Sequence, residues 1–288
     1  MRLGSVFPQT EIGTDPGGVR TYVEAVQELG FDHLLAYDHV LGGDRARHPD
    51  LVGPYRAEHL FHEILVLLGY AAAIAPGLEL VTAVVIAPQR QTALLAKQAA
   101  EVDVLTGGRF RLGLGIGWNP VEYEALGMDF HDRGARFEEQ IELMRRLWTE
   151  PVFDYEGRSH RVTGAGINPL PVQQPIPIWI GGSAERALRR TARLADGFFP
   201  QRPLEGGWPA TLERMRGWRR EAGRDPDRFG IEARIDVAQG TPDDWRARAE
   251  EWRGLGATHL SVTTTGAGLE GPEPHVRRLE EARQALAA

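Results

Sequence analysis

Two adjacent polar residues, Asp38 and His39, directly follow an apolar stretch at 31–37 that is predicted to be a strand. An imidazole gains and loses a proton near neutral pH, so a histidine at a strand end is a candidate for acid–base chemistry. The same pair is also compatible with a metal pair or with a structural turn, because adjacent side chains usually point in different directions. We treat His39 as the candidate catalytic residue of the chain.

A second candidate site is formed by Gly181, Gly182 and Ser183, which precede a predicted helix at 183–194. Small residues let an anion approach the backbone, and the free N–H groups and the dipole at a helix start favour negative charge. This pattern predicts a phosphate site. The alternative is a glycine turn in which Ser183 caps the helix and the arginines that follow are solvated.

Glycines alternate at positions 113, 115 and 117 of a third segment, predicted to be a strand at 110–117. A dinucleotide-binding loop is excluded, because its third glycine opens a helix and an acidic residue follows about 20 residues later. A strand face without side chains suits a flat ring that lies against the backbone, and a crowded corner of a barrel explains it equally well. Asn119 is then predicted to cap the next helix, with Glu122 at the capping-box position.

The histidines and cysteines offer little support for a metal. His59 and His62 would share one face of a helix predicted at 59–75, but their spacing matches neither zincin motif, and we interpret the segment as an ordinary helix. The chain has no cysteine, which excludes disulfides, iron–sulfur clusters and thiol nucleophiles. We therefore expect no metal site.

Strand-like and helix-like segments alternate eight times along the 288 residues. Such alternation indicates parallel strands joined by right-handed helical crossovers, and eight units fit one (β/α)8 TIM barrel of class α/β over residues 1–288. A doubly wound open sheet is the second choice. Residues 151–177 are rich in proline and lack a helical period, so we expect an excursion from the barrel there. The predicted strands are 3–9, 31–37, 78–87, 110–117, 176–180, 197–199, 231–237 and 259–264.

Composition excludes several classes of partner. The 33 basic and 40 acidic residues give a net charge of −7, which does not favour nucleic acid or an anionic membrane. The sequence has no long apolar run and no secretory signal pattern, and we expect a cytoplasmic protein. A single lysine among the basic residues indicates a GC-rich bacterial genome.

Four segments in order carry a family resemblance: Ala-Tyr-Asp-His at 36–39, Leu-Thr-Gly-Gly-Arg at 105–109, Leu-Gly-Leu-Gly-Ile-Gly-Trp-Asn at 112–119 and Trp-Ile-Gly-Gly-Ser at 179–183. Over nearly the whole chain they resemble the bacterial luciferase-like superfamily, and more closely its actinobacterial branch of coenzyme F420-dependent oxidoreductases.

The resemblance implies a barrel that binds FMN or the deazaflavin F420 at the C-terminal mouth. His39 would face the reacting ring and, while neutral, donate a hydrogen bond to charge that develops in hydride transfer. The chain would form a homodimer. The implied cofactor-binding residues are Asp38, Ala83 and Val84 at a non-proline cis peptide behind the ring, Ile116, Gly117 and Asn119 beside it, and Gly181, Gly182 and Ser183 at the phosphate.

One position departs from the resemblance. In the deazaflavin-dependent sugar-phosphate dehydrogenases of this superfamily a catalytic glutamate follows the last glycine of the third motif, where this chain has Trp118. Glu122 lies a full helical turn later and is not assigned that role. The aromatic residue argues against a sugar phosphate and favours an apolar, planar or conjugated small molecule.

Four functions follow from these observations. The first is hydride transfer between F420 and a small organic substrate. The second is an FMN-dependent monooxygenase that uses O2 and takes reduced flavin from a separate reductase. A non-catalytic flavin-binding homologue is disfavoured because Asp38 and His39 are intact, and a metal-dependent isomerase barrel lacks a convincing set of ligands.

Overall fold

In the computed structural model, which describes residues 1–51, 53 and 55–287, the chain folds as a closed barrel of parallel strands surrounded by helices. The strands pair in the order β3-β2-β1-β11-β10-β9-β8-β5-β4, and an additional β3–β5 pairing closes the ring. Closure excludes the doubly wound sheet and confirms the predicted barrel. The barrel strands are β1 (Arg2–Val6), β2 (His33–Ala36), β3 (Glu79–Thr82), β4 (Val85–Ile86), β5 (Phe110–Gly115), β8 (Ile178–Gly182), β9 (Gly197–Pro200), β10 (Gly230–Asp236) and β11 (His259–Thr263).

The third predicted strand, 78–87, is present as two pieces, because β3 and β4 are separated at Ala83 and Val84. Both pieces pair with β5, so together they occupy one position of the eight-stranded ring.

Helices cover the outside of the barrel, and one of the two predicted caps, Asn119, is present. Thr241 and Asp244 form a reciprocal capping box. Ser183 does not cap a helix, since the helix after β8 starts at Glu185 with Ala184 at the cap position and no side-chain cap. The helices are α1 (Pro16–Glu28), α2 (Ile64–Ile74), α3 (Thr92–Thr106), α4 (Pro120–Ala125), α5 (Arg133–Thr149), α6 (Glu185–Leu194), α7 (Gly207–Glu221), α8 (Pro242–Gly254) and α9 (Pro272–Ala287).

Polar side chains fill the N-terminal end of the barrel interior. Glu232 accepts hydrogen bonds from His33 at 2.9 Å and from Arg111 at 2.8 Å, and the Arg111 guanidinium lies 4.2 Å from the centre of the Trp179 ring. Burial opposes ionisation of Glu232, but the two basic partners outweigh it and lower its pKa to about 2. This end of the barrel is therefore packed and charge-balanced, and the open end is the opposite one.

Two excursions leave the barrel. The predicted one contains an antiparallel hairpin of β6 (Phe153–Glu156) and β7 (Arg161–Ala165). The other, between β2 and α2, was not predicted: the helix expected at 59–75 begins only at Ile64. His59 and His62 are not on a helix and have separate partners, the Arg56 N–H and the Gly13 carbonyl.

Among the described residues, no helix is long and apolar enough to cross a membrane.

Candidate active site

The C-terminal ends of the strands surround a cavity of about 590 Å3. This volume is typical of small-molecule sites, which span roughly 300–1,000 Å3. Nine of the ten predicted site residues line it, and they come from four different strand ends. These nine are Asp38, His39, Ala83, Val84, Ile116, Gly117, Gly181, Gly182 and Ser183.

Asn119 is the exception. Its side chain is fully buried and caps α4 by accepting a hydrogen bond from the Val121 N–H at 3.0 Å. Its amide nitrogen lies 3.4 Å from the Leu41 carbonyl, and the residue is absent from the cavity wall. Because the side chain is used at the helix start, it lies outside the ring site that the resemblance implied.

The break between β3 and β4 forms one wall of the cavity. The Ala83–Val84 peptide bond is cis, as expected. Asp38 holds the chain beyond the break: its carboxylate accepts the Ile86 N–H at 3.0 Å and pairs with Arg90 at 2.8 Å. Burial raises the pKa of Asp38, and Arg90 offsets part of the rise. Both carboxylate oxygens are thus engaged by the protein, so Asp38 shapes this wall of the cavity.

The alternating glycines of β5 are explained by crowding. A methyl group at Gly113 would lie 1.8 Å from the Thr82 carbonyl oxygen, and one at Gly115 would lie 2.6 Å from a Val84 methyl carbon. Gly117 has φ of +65°, which only glycine adopts easily. The face that looked bare in the sequence is therefore filled at positions 113 and 115 by the neighbouring strand segment.

His39 is paired with Glu122, a contact that the sequence analysis missed. The Nδ1 atom of His39 lies 3.1 and 3.2 Å from the two oxygens of Glu122. Val40 and Leu41 donate their backbone N–H groups to the same carboxylate at 2.8 and 3.3 Å. Burial opposes ionisation of Glu122, but these hydrogen bonds outweigh it and lower its pKa.

The expected capping role of Glu122 is therefore wrong. Its carboxylate points away from the start of α4 towards the segment after β2, 83 residues earlier in the chain. A glutamate three residues after the cap can bond to the cap backbone or to a distant segment. The spacing is the same in both cases, so the local sequence does not distinguish them.

Aromatic side chains surround the His39 ring. The ring centres of Tyr55, Phe61 and Trp118 lie 4.1, 5.1 and 5.7 Å from it. Tyr55 and Phe61 belong to the unpredicted excursion, and burial raises the pKa of Tyr55 to about 12, which keeps its phenol neutral. His39 is thus surrounded by flat aromatic side chains that are largely apolar.

Small residues at a helix start form another wall of the cavity. Gly181, Gly182 and Ser183 lie on its wall together with Ala184 and Ala187 of the α6 start. Since Ser183 does not cap α6, and the first N–H groups of a helix have no partner within it, this wall offers hydrogen-bond donors. Among the described residues that line the cavity there is no arginine of α6, and Arg190 and Arg193 of this helix pair with Glu138.

A parallel barrel with an open cavity at its C-terminal end, a histidine on one wall and a helix start on another has the architecture of a barrel enzyme. Residues 1–287 match the model of the luciferase-like monooxygenase family, and the chain belongs to this family. The family comprises oxidoreductases and monooxygenases, so the protein is a luciferase-like oxidoreductase.

Known proteins similar to this chain include an FMNH(2)-dependent enzyme and an F420-dependent enzyme. An uncharacterized protein of Mycobacterium tuberculosis is 39% identical over 229 residues, which cover 76% of this chain and 75% of that protein. An FMNH(2)-dependent dimethylsulfone monooxygenase of Pseudomonas putida is 29% identical over 79% of this chain and 60% of its own length. The structure of an F420-dependent secondary alcohol dehydrogenase superposes with a TM-score of 0.77 at 15% identity, covering 99% of this chain and 98% of that one.

Proposed function

We propose that the protein transfers a hydride between the deazaflavin F420 and a small organic substrate. The observation that carries the proposal is a single cavity in which His39 and the Ala83–Val84 wall lie together with the Gly181–Ser183 anion site. A flat redox ring with a phosphate at one end needs these three features.

The residues of the cavity fit such a cofactor. Ala83, Val84 and Ile116 would support the ring, and Gly181, Gly182 and Ser183 would hold its phosphate with the start of α6. The cofactor supplies the hydride chemistry, and the protein positions it, since hydride transfer needs the two carbon atoms within about 3.5 Å. His39 supplies the adjacent acid–base group.

One observation supports the deazaflavin over FMN. The arginine-rich composition with one lysine fits the GC-rich bacteria in which deazaflavin enzymes are common.

The aromatic residues around His39 support the choice of substrate. Tyr55 and Trp118 line the cavity next to the imidazole, and such aromatic surfaces bind planar apolar groups. We infer an apolar, planar or conjugated substrate.

An FMN-dependent monooxygenase that uses O2 is the second candidate, favoured by the 29% identity to the dimethylsulfone monooxygenase. In that case a separate reductase would supply reduced flavin.

Titration of the purified protein with F420 and with FMN, monitored by fluorescence quenching, tests both candidates. We expect tight binding of F420 and weak binding of FMN. Ser183→Asp places a negative charge in the anion site and should weaken cofactor binding about tenfold or more, since one lost charge-assisted hydrogen bond is worth about 1.5–3 kcal/mol. Ala247→Asp, on the exposed face of α8, adds the same charge far from the cavity and serves as the control.

Tight FMN binding without F420 binding would replace the first candidate by the second. Binding of neither cofactor would reject both. Equal effects of the two aspartate variants would reject Gly181–Ser183 as the phosphate site.

A further inference from the structure

We propose that Glu122 is a positioning residue that holds His39 with its Nδ1 atom protonated, so that Nε2 takes up the hydroxyl proton of an alcohol substrate. The inference rests on the proposed function for the identity of the hydride acceptor, but its structural part stands on the contacts of Glu122 alone.

The carboxylate of Glu122 is surrounded by donors. The Val40 and Leu41 N–H groups and the Gln89 side-chain amide, whose nitrogen lies at 3.4 Å, all donate to it. The side chain is 1% exposed, and burial beside three donors favours a group that only accepts. The ionised carboxylate is such a group.

A carboxylate that only accepts determines the tautomer of His39. The contact between Nδ1 and Glu122 at 3.1 Å requires the proton to be on Nδ1. In the neutral imidazole Nε2 is then an acceptor. Under this proposal a neutral His39 accepts a hydrogen bond from the reacting groups, where the family resemblance implied that it donates one, since Nε2 donates only after it has been protonated.

The Nε2 atom is available to a substrate. His39 lines the cavity, and Nε2 makes no hydrogen bond to any residue that the structure describes. Neither the Tyr55 hydroxyl nor the Trp118 N–H makes a hydrogen bond to the imidazole, although their rings lie 4.1 and 5.7 Å from it, so Nε2 can accept a hydrogen bond from a hydroxyl group of a bound molecule.

The balance of the reaction agrees with this arrangement. In the oxidation of an alcohol the C–H bond breaks and its electron pair leaves with the hydride to the oxidised deazaflavin. The O–H bond breaks as the carbonyl forms, and its proton binds to Nε2 of His39. The alcohol is oxidised and the cofactor is reduced. The resulting imidazolium lies against the Glu122 carboxylate, which stabilises the positive charge, and in the reverse direction the same Nε2–H protonates the oxygen.

Two measurements test the proposal in the wild-type protein, Glu122→Gln and Glu124→Gln. Glu124 is the matched control, because it lies on the same helix but is exposed and its side chain makes no hydrogen bond to a described residue. Long-range 1H–15N NMR of the cofactor-free protein assigns the protonated nitrogen of His39. Single-turnover reduction of F420 by 1-phenylethanol, a planar secondary alcohol, is recorded against pH.

We expect the Nδ1–H tautomer in the wild type and in Glu124→Gln, and a mixture of both tautomers in Glu122→Gln. The rate of F420 reduction should fall about 100-fold in Glu122→Gln, within the usual range for acid–base catalysis. The acidic limb of its pH profile should move to lower pH, because the imidazolium has lost its carboxylate. A purely structural role of Glu122 would lower the melting temperature and leave the profile unchanged.

The NMR result is independent of any cofactor, so it separates this proposal from the proposed function. An Nε2–H tautomer in the wild type overturns the positioning role, even if Glu122→Gln does not fold. Unchanged rate and pH profile in folded Glu122→Gln overturn it as well. If the tautomer is as expected but 1-phenylethanol does not reduce bound F420, the alcohol as substrate is rejected.

Discussion

At the scale of single residues, His39 is the proposed acid–base group. It lies close after β2, its Nδ1 atom contacts Glu122, the residue lines the cavity, and its Nε2 atom makes no hydrogen bond to any described residue. Asp38, its neighbour in sequence, turns the other way and holds the segment after the strand break. His39 is thus available to a substrate, whereas Asp38 holds the wall of the cavity in place.

Replacement of His39 by alanine should slow turnover and leave binding almost unchanged. An interaction that is made mainly in the transition state affects the rate and not the affinity, and its loss typically costs about 3 kcal/mol or roughly 100-fold in rate. The measurements are the single-turnover rate, the dissociation constant of the cofactor and the melting temperature. Normal turnover with weaker cofactor binding or a lower melting temperature would mean that His39 has a structural role.

At the scale of elements, the contact between β5 and the broken third strand shapes the cavity wall. Gly113 lets the Thr82 carbonyl approach β5, and Thr82 also exchanges side-chain hydrogen bonds of 2.8 Å with the Gly113 backbone. The position of Val84 next to Gly115 follows from this approach. The glycines therefore act through packing between strands.

Gly113→Ala should destabilise the protein by about 3 kcal/mol, the upper end of the 1–3 kcal/mol that overpacking typically costs, because its methyl group has no space beside the Thr82 backbone. Gly217→Ala in α7 is the control. A methyl group there meets no atom within 4 Å, and alanine in a helix is favoured over glycine by up to about 1 kcal/mol. Urea unfolding compares the two, and equal stability of both variants would contradict the assigned role of Gly113.

At the scale of the whole molecule, buried histidines make folding sensitive to acid. His275 is fully buried, with its Nδ1 atom 2.7 Å from the Thr264 hydroxyl, and burial lowers its pKa to about 4. The unfolded chain, with an ordinary histidine pKa of about 6.5, therefore takes up this proton first as the pH falls. The contribution of His275 to the free energy of unfolding is fully present above about pH 6.5 and declines between about pH 6.5 and pH 4.

His275→Asn should remove this part of the pH dependence. One such histidine lowers the free energy of unfolding by about 2 kcal/mol between pH 7.5 and pH 5. The wild type should therefore lose that much more stability than the variant over this interval. The free energy of unfolding in urea at the two pH values is the measurement. His131→Asn changes an exposed loop histidine and should behave as the wild type, and a variant of His275 that loses as much stability as the wild type would contradict the prediction.

The molecule should also be a homodimer. The neighbouring helices α2 and α3 expose large apolar side chains, and such a surface is typical of an interface. Light scattering at micromolar concentration should give twice the mass of the chain, and the double variant Val66→Glu, Leu94→Glu should give the monomer mass. A monomeric wild type would reject the dimer. The exposed residues are Val66, Tyr70, Leu94 and Leu105.

The sequence by itself determined the barrel and most of the cavity wall. Strand and helix periodicity is a local property, and in a parallel barrel every strand end lies at the same rim, so the residues after the strands were expected to meet. His39 and Ser183 were therefore placed at the cavity from their positions alone, whereas Ile116 was placed there by the family resemblance.

Only the tertiary structure decided how individual side chains are used. Glu122 and Asn119 both lie at the start of α4, yet one turns to His39 across 83 residues and the other stays at the cap. Tyr55 and Phe61 reach the site from an excursion without periodicity. These contacts depend on how distant segments pack against each other. The direction in which such a side chain points cannot be predicted from the spacing of residues along the chain.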